Sequence, residues 1–408
     1  MEHLFPGRRI PIFRVFGLML MLGVWPLVAQ QARPSLLSTQ PVNLPVQAWF
    51  QLGGGEGERV IWGATADRMT VPGEDKADFL LPANPLRTVI SPAGSRMVVM
   101  SRESLKDRAS RLIFQVYNSA GEPLFAVEQA HEQDMPYPVI ALFEDGRLVL
   151  GNAPEARLSF YGADGIFRET IVLLEKVSYD LERYLALAPA TDGALADLIA
   201  RRGVIPVDGP QAGVSQEGIL RRFDKDRRQT GELTMADFNP SLLVGARDGA
   251  ALALSAYTIN SLGNISGKTL LLNRALQTEL ETEIFARQLA FAENGNCVAI
   301  LGDKELQMLD RRSGEALWSR TVNASGTVAA IKAGNRGEAF LLNAESGFTE
   351  SGFRYFNPAV QVVAPDGEMA AWEAGERTFT NPALFWDEET RRLSAGFSTE
   401  LVTLEVAR

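Results

Sequence analysis

Few residues in this 408-residue chain are of types that do covalent or metal chemistry, and their spacing decides what each could do. Gly263-Asn264-Ile265-Ser266-Gly267-Lys268-Thr269 has the composition of a phosphate-cradling loop. Such a loop needs four residues between its first Gly and the Gly-Lys pair, so that backbone N–H groups curl around a phosphate, and a helix after it. Here three residues intervene and Leu270-Leu271-Leu272 reads as strand, so a loop between strands is expected. Asp224-Lys225-Asp226, followed by Gly231 and Asp237, approximates a calcium loop. Calcium loops place oxygen ligands at alternating positions with Gly sixth. Counting back from Gly231 puts Arg228 on a ligand position, so a turn is expected there as well.

Histidine chemistry is confined to His3, close to the N-terminus, and His131. One further His and the single Cys297 do not make an ordinary zinc site, and a Ser-His-Asp triad would have to run through His131. His131 sits among Glu128, Glu132 and Asp134 on what reads as a loop between sheets; His131 and Asp134 are kept as candidate ligand contacts. Cys297 lies in Cys297-Val298-Ala299-Ile300, an apolar run in which a thiol is expected to be buried and inert. Paired carboxylates could serve glycoside chemistry, but no spacing selects two from the 50 Asp and Glu. No catalytic residue, metal ligand set or cofactor is assigned.

The elements that would position any site come from the leader and from a repeat. Arg8, Arg9 and Arg14 precede the apolar run Val15 to Ala29, which Pro26 interrupts. A basic start, a short apolar core and a small-residue exit read as a secretory signal peptide over residues 1–29. The run is short for a membrane span, so cleavage is expected and an uncleaved anchor is the alternative. With no cysteine in the leader a lipoprotein anchor is not expected, and the localisation expected is periplasmic or extracellular. The lone cysteine rules out an internal disulfide, so stability must come from packing. The chain carries a net charge of −10, and losing residues 1–29 removes a net +2 and leaves −12. An acidic surface repels phosphate backbones, so no nucleic-acid partner is expected.

Two hairpin patterns alternate along the rest. The first joins apolar strands through short turns at Pro92-Ala93-Gly94, Asp145-Gly146, Asp192-Gly193, Asp248-Gly249, Asn294-Gly295, Asn335-Arg336-Gly337 and Asp387-Glu388. Asn-Gly and Asp-Gly supply the positive-φ positions of tight hairpins. The second runs through Tyr117 to Glu122, Tyr161 to Gly165, Phe223 to Leu233, Leu309 to Glu315 and Pro365 to Glu368, with Asn273-Arg274-Ala275-Leu276 departing from the pattern. Two hairpins make one four-stranded sheet, and sheets recurring every forty to fifty residues mark propeller blades. The fold expected is therefore all-β: a single closed β-propeller of seven four-stranded blades over residues 46–408, preceded by an extended lead-in at 30–45. The seventh unit has only three strands, so Val46-Gln47-Ala48-Trp49-Phe50 is expected to complete it and close the ring.

Leu306 to Trp318, with Asp310, Ser313-Gly314-Glu315 and Trp318 in order, resembles the repeat of pyrroloquinoline-quinone-type (PQQ-like, WD40-like) propellers. That family includes quinoprotein dehydrogenases and cofactor-free scaffold propellers of the bacterial envelope. The match is close in this one blade, because Phe125, Phe167 and Met235 stand where the Trp would recur. The resemblance implies the fold and carries no quinone site.

Long segments fall at one face of such a ring: Ser101 to Ser110, Arg201 to Gly218, Ser255 to Lys268 and Asn343 to Phe356. Long loops on a rigid scaffold are where binding concentrates. Tyr257, Phe348, Arg354 and Tyr355 within them are the expected anchors, being residue types favoured at interfaces. The function expected is a non-catalytic binding or scaffold propeller, a monomer recognising a protein or polysaccharide. A propeller enzyme, either a carbohydrate-active hydrolase or lyase or a quinone-dependent oxidoreductase, is the alternative.

Overall fold

The structure, a computed structural model, describes residues 34–407 except 43–44, 54–58, 73–78, 106–108, 133, 175–179, 206–212, 237–238, 260–264, 323–325 and 351. The leader, and most of the 30–45 lead-in before Pro34, lie outside the described residues.

Among the described residues every regular element is a strand, and the strands form eight four-stranded antiparallel sheets in chain order. Sheet one comprises Ala48–Leu52, Val60–Ala64, Arg68–Thr70 and Phe79–Leu80, and sheet two Pro85–Ile90, Arg96–Ser104, Ala109–Asn118 and Pro123–Glu132. Sheet three is Val139–Leu142, Leu148–Asn152, Arg157–Tyr161 and Phe167–Val172; sheet four is Asp180–Pro189, Leu195–Ile205, Gly213–Phe223 and Gln229–Ala236. Sheet five is Asn239–Gly245, Ala251–Ile259, Ile265–Asn273 and Thr278–Thr282; sheet six is Gln288–Phe291, Cys297–Leu301, Glu305–Asp310 and Glu315–Thr321. Sheet seven is Thr327–Ala333, Ala339–Thr349, Gly352–Val363 and Met369–Glu373, with the short strand Thr378–Phe379 added beside the third. Sheet eight is Leu384–Asp387, Arg392–Gly396, Glu400–Val406 and, outermost, Pro34–Pro41.

First strands of successive sheets contact one another from sheet two round to sheet eight. Sheet eight meets sheet one through Val46, Trp49, Ala383 and Leu401, which closes the ring. This is a β-propeller, with two corrections to the sequence reading. Eight sheets stand where seven are expected, because residues 48–80 form a sheet of their own. The strand completing the last sheet is Pro34–Pro41, paired antiparallel from Pro34↔Val406 to Pro41↔Glu400. Ala48–Leu52 is instead the innermost strand of sheet one.

Second strands are covered by a neighbouring sheet on each side, which is why they read as unbroken apolar runs. Met97-Val98-Val99-Met100, Leu148-Val149-Leu150 and Cys297 to Leu301 are all buried. Outer strands alternate instead, as in Pro123–Glu132. The expected turns carry positive φ at Gly94, Gly146, Gly193, Gly249, Gly295 and Gly337. In the pattern's exceptions Leu276 (φ 62°) and Arg391 (φ 55°) adopt the same left-handed backbone without glycine.

Candidate interaction face

Antiparallel order fixes which connections share a face. The turns joining first to second and third to fourth strands lie on one face. The second-to-third hairpins and the links between sheets lie on the other.

On the first face the turns are bonded to one another around the ring. Gly53 N–H donates to Gly94 O (2.9 Å), linking sheets one and two. Glu144 of sheet three accepts from the hydroxyls of Ser91 and Ser95 and the backbone N–H of Ala93 in sheet two. Thr191 N–H donates to Arg247 O (2.9 Å), and Arg274 pairs with Asp192, joining sheets four and five. Asn294 N–H donates to Asn335 Oδ1 (2.9 Å) and Asn335 N–H to Glu388 Oε2 (2.9 Å), stepping from sheet six to seven to eight. The buried pair Arg391–Glu338 (3.0 Å) repeats the last step. Polar groups here satisfy each other and hold neighbouring sheets in register. Trp318, the residue of the family resemblance, joins sheets in the same way, its indole N–H donating to Gly337 O of the next sheet (2.8 Å).

The opposite face is built differently. The four long segments expected as loops are antiparallel ribbons that extend the second and third strands beyond the sheet. In sheet two pairing runs out to Ser104↔Ser110, in sheet four to Ile205↔Gly213, in sheet five to Ile259↔Ile265 and in sheet seven to Thr349↔Gly352. Ribbon formation satisfies the backbone N–H and C=O groups that a loop would leave to water. The corresponding turns of sheets three, six and eight are short, at Ala153–Ala156, Gly302–Lys304 and Phe397–Thr399. Tall and short sheets therefore alternate around this ribbon face, except that sheets four and five stand tall together and sheets eight and one, whose turn is Thr65–Asp67, are short together.

The sheet-seven ribbon carries most of the expected anchors. Phe348 is 86% exposed, while Phe353 opposite it is 40% exposed and meets it edge-on with ring centres 5.5 Å apart. Phe353 contacts Tyr355 (5.2 Å, 87°), and Tyr355 stacks on buried Phe379 (4.7 Å, 12°). The aromatic rings thus run from solvent into the core. Arg354, half-buried across from Gly347, makes no ion pair or side-chain hydrogen bond among the described residues. Tyr257 stands on the sheet-five ribbon, half-buried, its ring edge-on to Phe285 (5.5 Å).

His131 is not on a loop; it lies near the end of the strand Pro123–Glu132, opposite Ser110. Its ring stacks on Tyr137 (5.1 Å, 18°). Burial first, and then the Arg102 guanidinium, lower its pKa below the ordinary value, while Glu132 pulls the other way. Asp134 is exposed just beyond, in the link to sheet three. His131 and Asp134, Tyr257, and the Phe348–Tyr355 group therefore share a face but stand on sheets two, five and seven, not in one pocket. The sequence reading missed Tyr137, in the link that follows the strand of His131, and Arg102 of the second strand, which donates to the Tyr137 hydroxyl (3.4 Å). Lys268 of the loop Gly263–Thr269 lies on the strand Ile265–Asn273 and pairs with Glu281 (2.9 Å). The Asp224 carboxylate accepts the N–H groups of Asp226 and Arg228 (both 2.9 Å), as a turn does. Residues 237–238, 260–264 and 323–325, including Asp237 and Gly263, lie outside the described residues. Among the described residues no helix is long and apolar enough to cross a membrane.

No protein-family model and no curated protein matches the chain. Solved structures of similar shape include the eukaryotic initiation factor, at 14% identity and TM-score 0.47, covering 85% of this chain and 92% of that one. BBS1N in complex with ARL6DN matches at 11% identity and TM-score 0.40, covering 79% and 96%. Kluyvelomyces marxianus Hsv2 matches at 8% identity and TM-score 0.43, covering 80% and 100%. The propeller assignment stands on this chain's own strand order and sheet contacts.

Proposed function

We propose that the chain is a non-catalytic binding propeller, exported to the periplasm or cell exterior, that recognises a protein through its ribbon face. The observation that carries this reading is the division between the two faces. One spends its polar groups on holding the ring together; the other raises four ribbons that the ring does not need. A ribbon costs roughly 1–2 kcal/mol per residue in conformational entropy to order, and a fold needing only connection would use turns as short as those of sheets three, six and eight. Phe348 stands at the tip with nearly all its ring in water. Burying such a side chain against a partner yields about 1.5–3 kcal/mol. Arg354, with no ion partner among the described residues, adds a rigid fork of donors beside it. The basic start and apolar core of residues 1–29 support export.

The test is a variant in which residues 347–354 are replaced by a tight turn, which removes Phe348, Phe353 and Arg354 but keeps Tyr355 on Phe379, compared with the parent chain for capture of partners from envelope extracts. Loss of a specific protein with an unchanged unfolding midpoint supports the reading. Undiminished capture overturns it, and retention of polysaccharide in place of protein changes the partner class.

A further inference from the structure

Along the ring axis lies a cavity of 560 Å³. It is axial because it touches first strands of seven sheets, at Gln51, Ile90, Leu187, Leu243, Leu289, Lys332 and Phe385. Its mouth on the turn face is spanned by Glu293 of sheet six, which receives Arg59 of sheet one and Arg247 of sheet five. Arg247 also donates to Ala93 O of sheet two (3.4 Å), so four sheets meet there. Glu293 is the one carboxylate among the described residues that line the cavity, and two arginines already hold it.

Lys332 has no such partner. It makes no ion pair and no side-chain hydrogen bond among the described residues, and its neighbours along the wall are mostly apolar. Solvent reaches it through the channel, yet protein surrounds it, and that burial, with no carboxylate to offset it, lowers its ammonium pKa below the ordinary value. Its side chain is exposed to the channel, so the ammonium is hydrated there and available to an anion that enters. The position beside it is open to the channel, and Leu187, Leu243, Leu289 and Phe385 give the same channel apolar side chains.

We propose that the central channel binds an amphiphilic carboxylate, its carboxylate on Lys332 Nζ and its hydrocarbon chain along Leu187, Leu243, Leu289 and Phe385. A single ammonium suits a monoanion, and the aliphatic wall favours a ligand that brings its own apolar surface over a hydrated phosphate. This site is independent of the ribbon face.

The experiment titrates decanoate, and separately decanol, into the purified full chain by calorimetry. Decanoate is expected to bind once per chain and decanol at least about tenfold more weakly, a charge-assisted bond being the difference. Lys332→Met should weaken decanoate by a similar factor, about tenfold, whereas Lys332→Arg retains most of the affinity. Lys332→Met should unfold at about the parent temperature, since Lys332 is exposed to the channel and has no ion pair or side-chain hydrogen bond among the described residues, which separates lost binding from lost folding. No saturable decanoate binding by the parent, equal binding of decanol, or unchanged binding by Lys332→Met would each overturn the proposal.

Discussion

Trp49, in the innermost strand of the first sheet, donates its indole N–H to the Phe397 carbonyl of the last sheet at 3.0 Å, across 348 residues of chain. The same ring lies over Gly396, where an added Cβ would stand 2.2 Å from Trp49 Cδ1. The ring is thus closed by side-chain packing between sheets one and eight as well as by strand pairing within sheet eight. Trp49→Phe should cost about 1 kcal/mol for the lost bond, and Trp49→Ala about 3–5 kcal/mol for the cavity. Gly396→Ala should destabilise comparably, because both partners in the clash are buried. Urea unfolding reads all three, and a Trp49→Ala chain as stable as the parent would refute this account of closure.

Closure by strand pairing is tested by starting the chain after Pro41. Sheet eight would keep three strands and expose the Glu400–Val406 edge, a template for pairing with another chain. Lower stability and concentration-dependent association are expected by light scattering; a monodisperse, equally stable product would show that Pro34–Pro41 is dispensable.

How far the sequence showed this can be read at those same residues. Short turns mark sheets two to eight, with Gly at positive φ in sheets two to seven, as Asp-Gly or Asn-Gly in sheets three to six, and Arg391 taking that backbone in sheet eight. Sheet one escaped notice: Arg68–Thr70 and Phe79–Leu80 are too short for a pattern. Pro34–Pro41, mostly exposed, has no apolar alternation to announce it as a strand. With sheet one unseen, Ala48–Leu52 was the nearest apolar run available to close the ring. The long segments read as loops because a ribbon projecting past the sheet has no buried face to impose a period. The placing of Lys332 on the axial channel depends on neighbours that only the closed ring supplies.

At the ribbon of sheet seven, exposure separates binding from stability. Phe348→Ser should change unfolding free energy by less than about 0.5 kcal/mol. Tyr355→Ala, which removes the ring stacked on Phe379, should cost about 2 kcal/mol. Equal effects of the two substitutions would mean that Phe348 is packed.

Asp197 and Arg221 form a buried pair across sheet four, Arg221 also donating to Leu173 O of sheet three (2.8 Å). Burial, only partly offset by Arg221, pushes the Asp197 carboxyl up to about 7. The folded chain then holds a proton that the unfolded chain has already released. The stability contributed by this group is therefore present at low pH and falls as pH rises from its ordinary value toward about 7. Asp197→Asn should flatten that fall, seen as urea midpoints that converge between acidic and neutral buffer. A slope identical to the parent's would contradict the assignment.

Cys297 is buried, and that burial raises its thiol to about 11. The native chain should resist a thiol-specific disulfide reagent in mildly alkaline buffer and react fully in denaturant. Rapid native labelling would contradict its packing between sheets six and seven.

The division of labour between the faces is tested most directly by two matched variants in one capture experiment. The ribbon-face variant carries Phe348→Ser and Arg354→Glu; the turn-face variant carries Lys225→Glu and Asp226→Lys, in an exposed turn. Both should unfold like the parent. The account predicts that a protein captured by the parent chain is retained by the turn-face variant and lost by the ribbon-face variant. Capture that survives the ribbon-face changes and fails with the turn-face changes would contradict it.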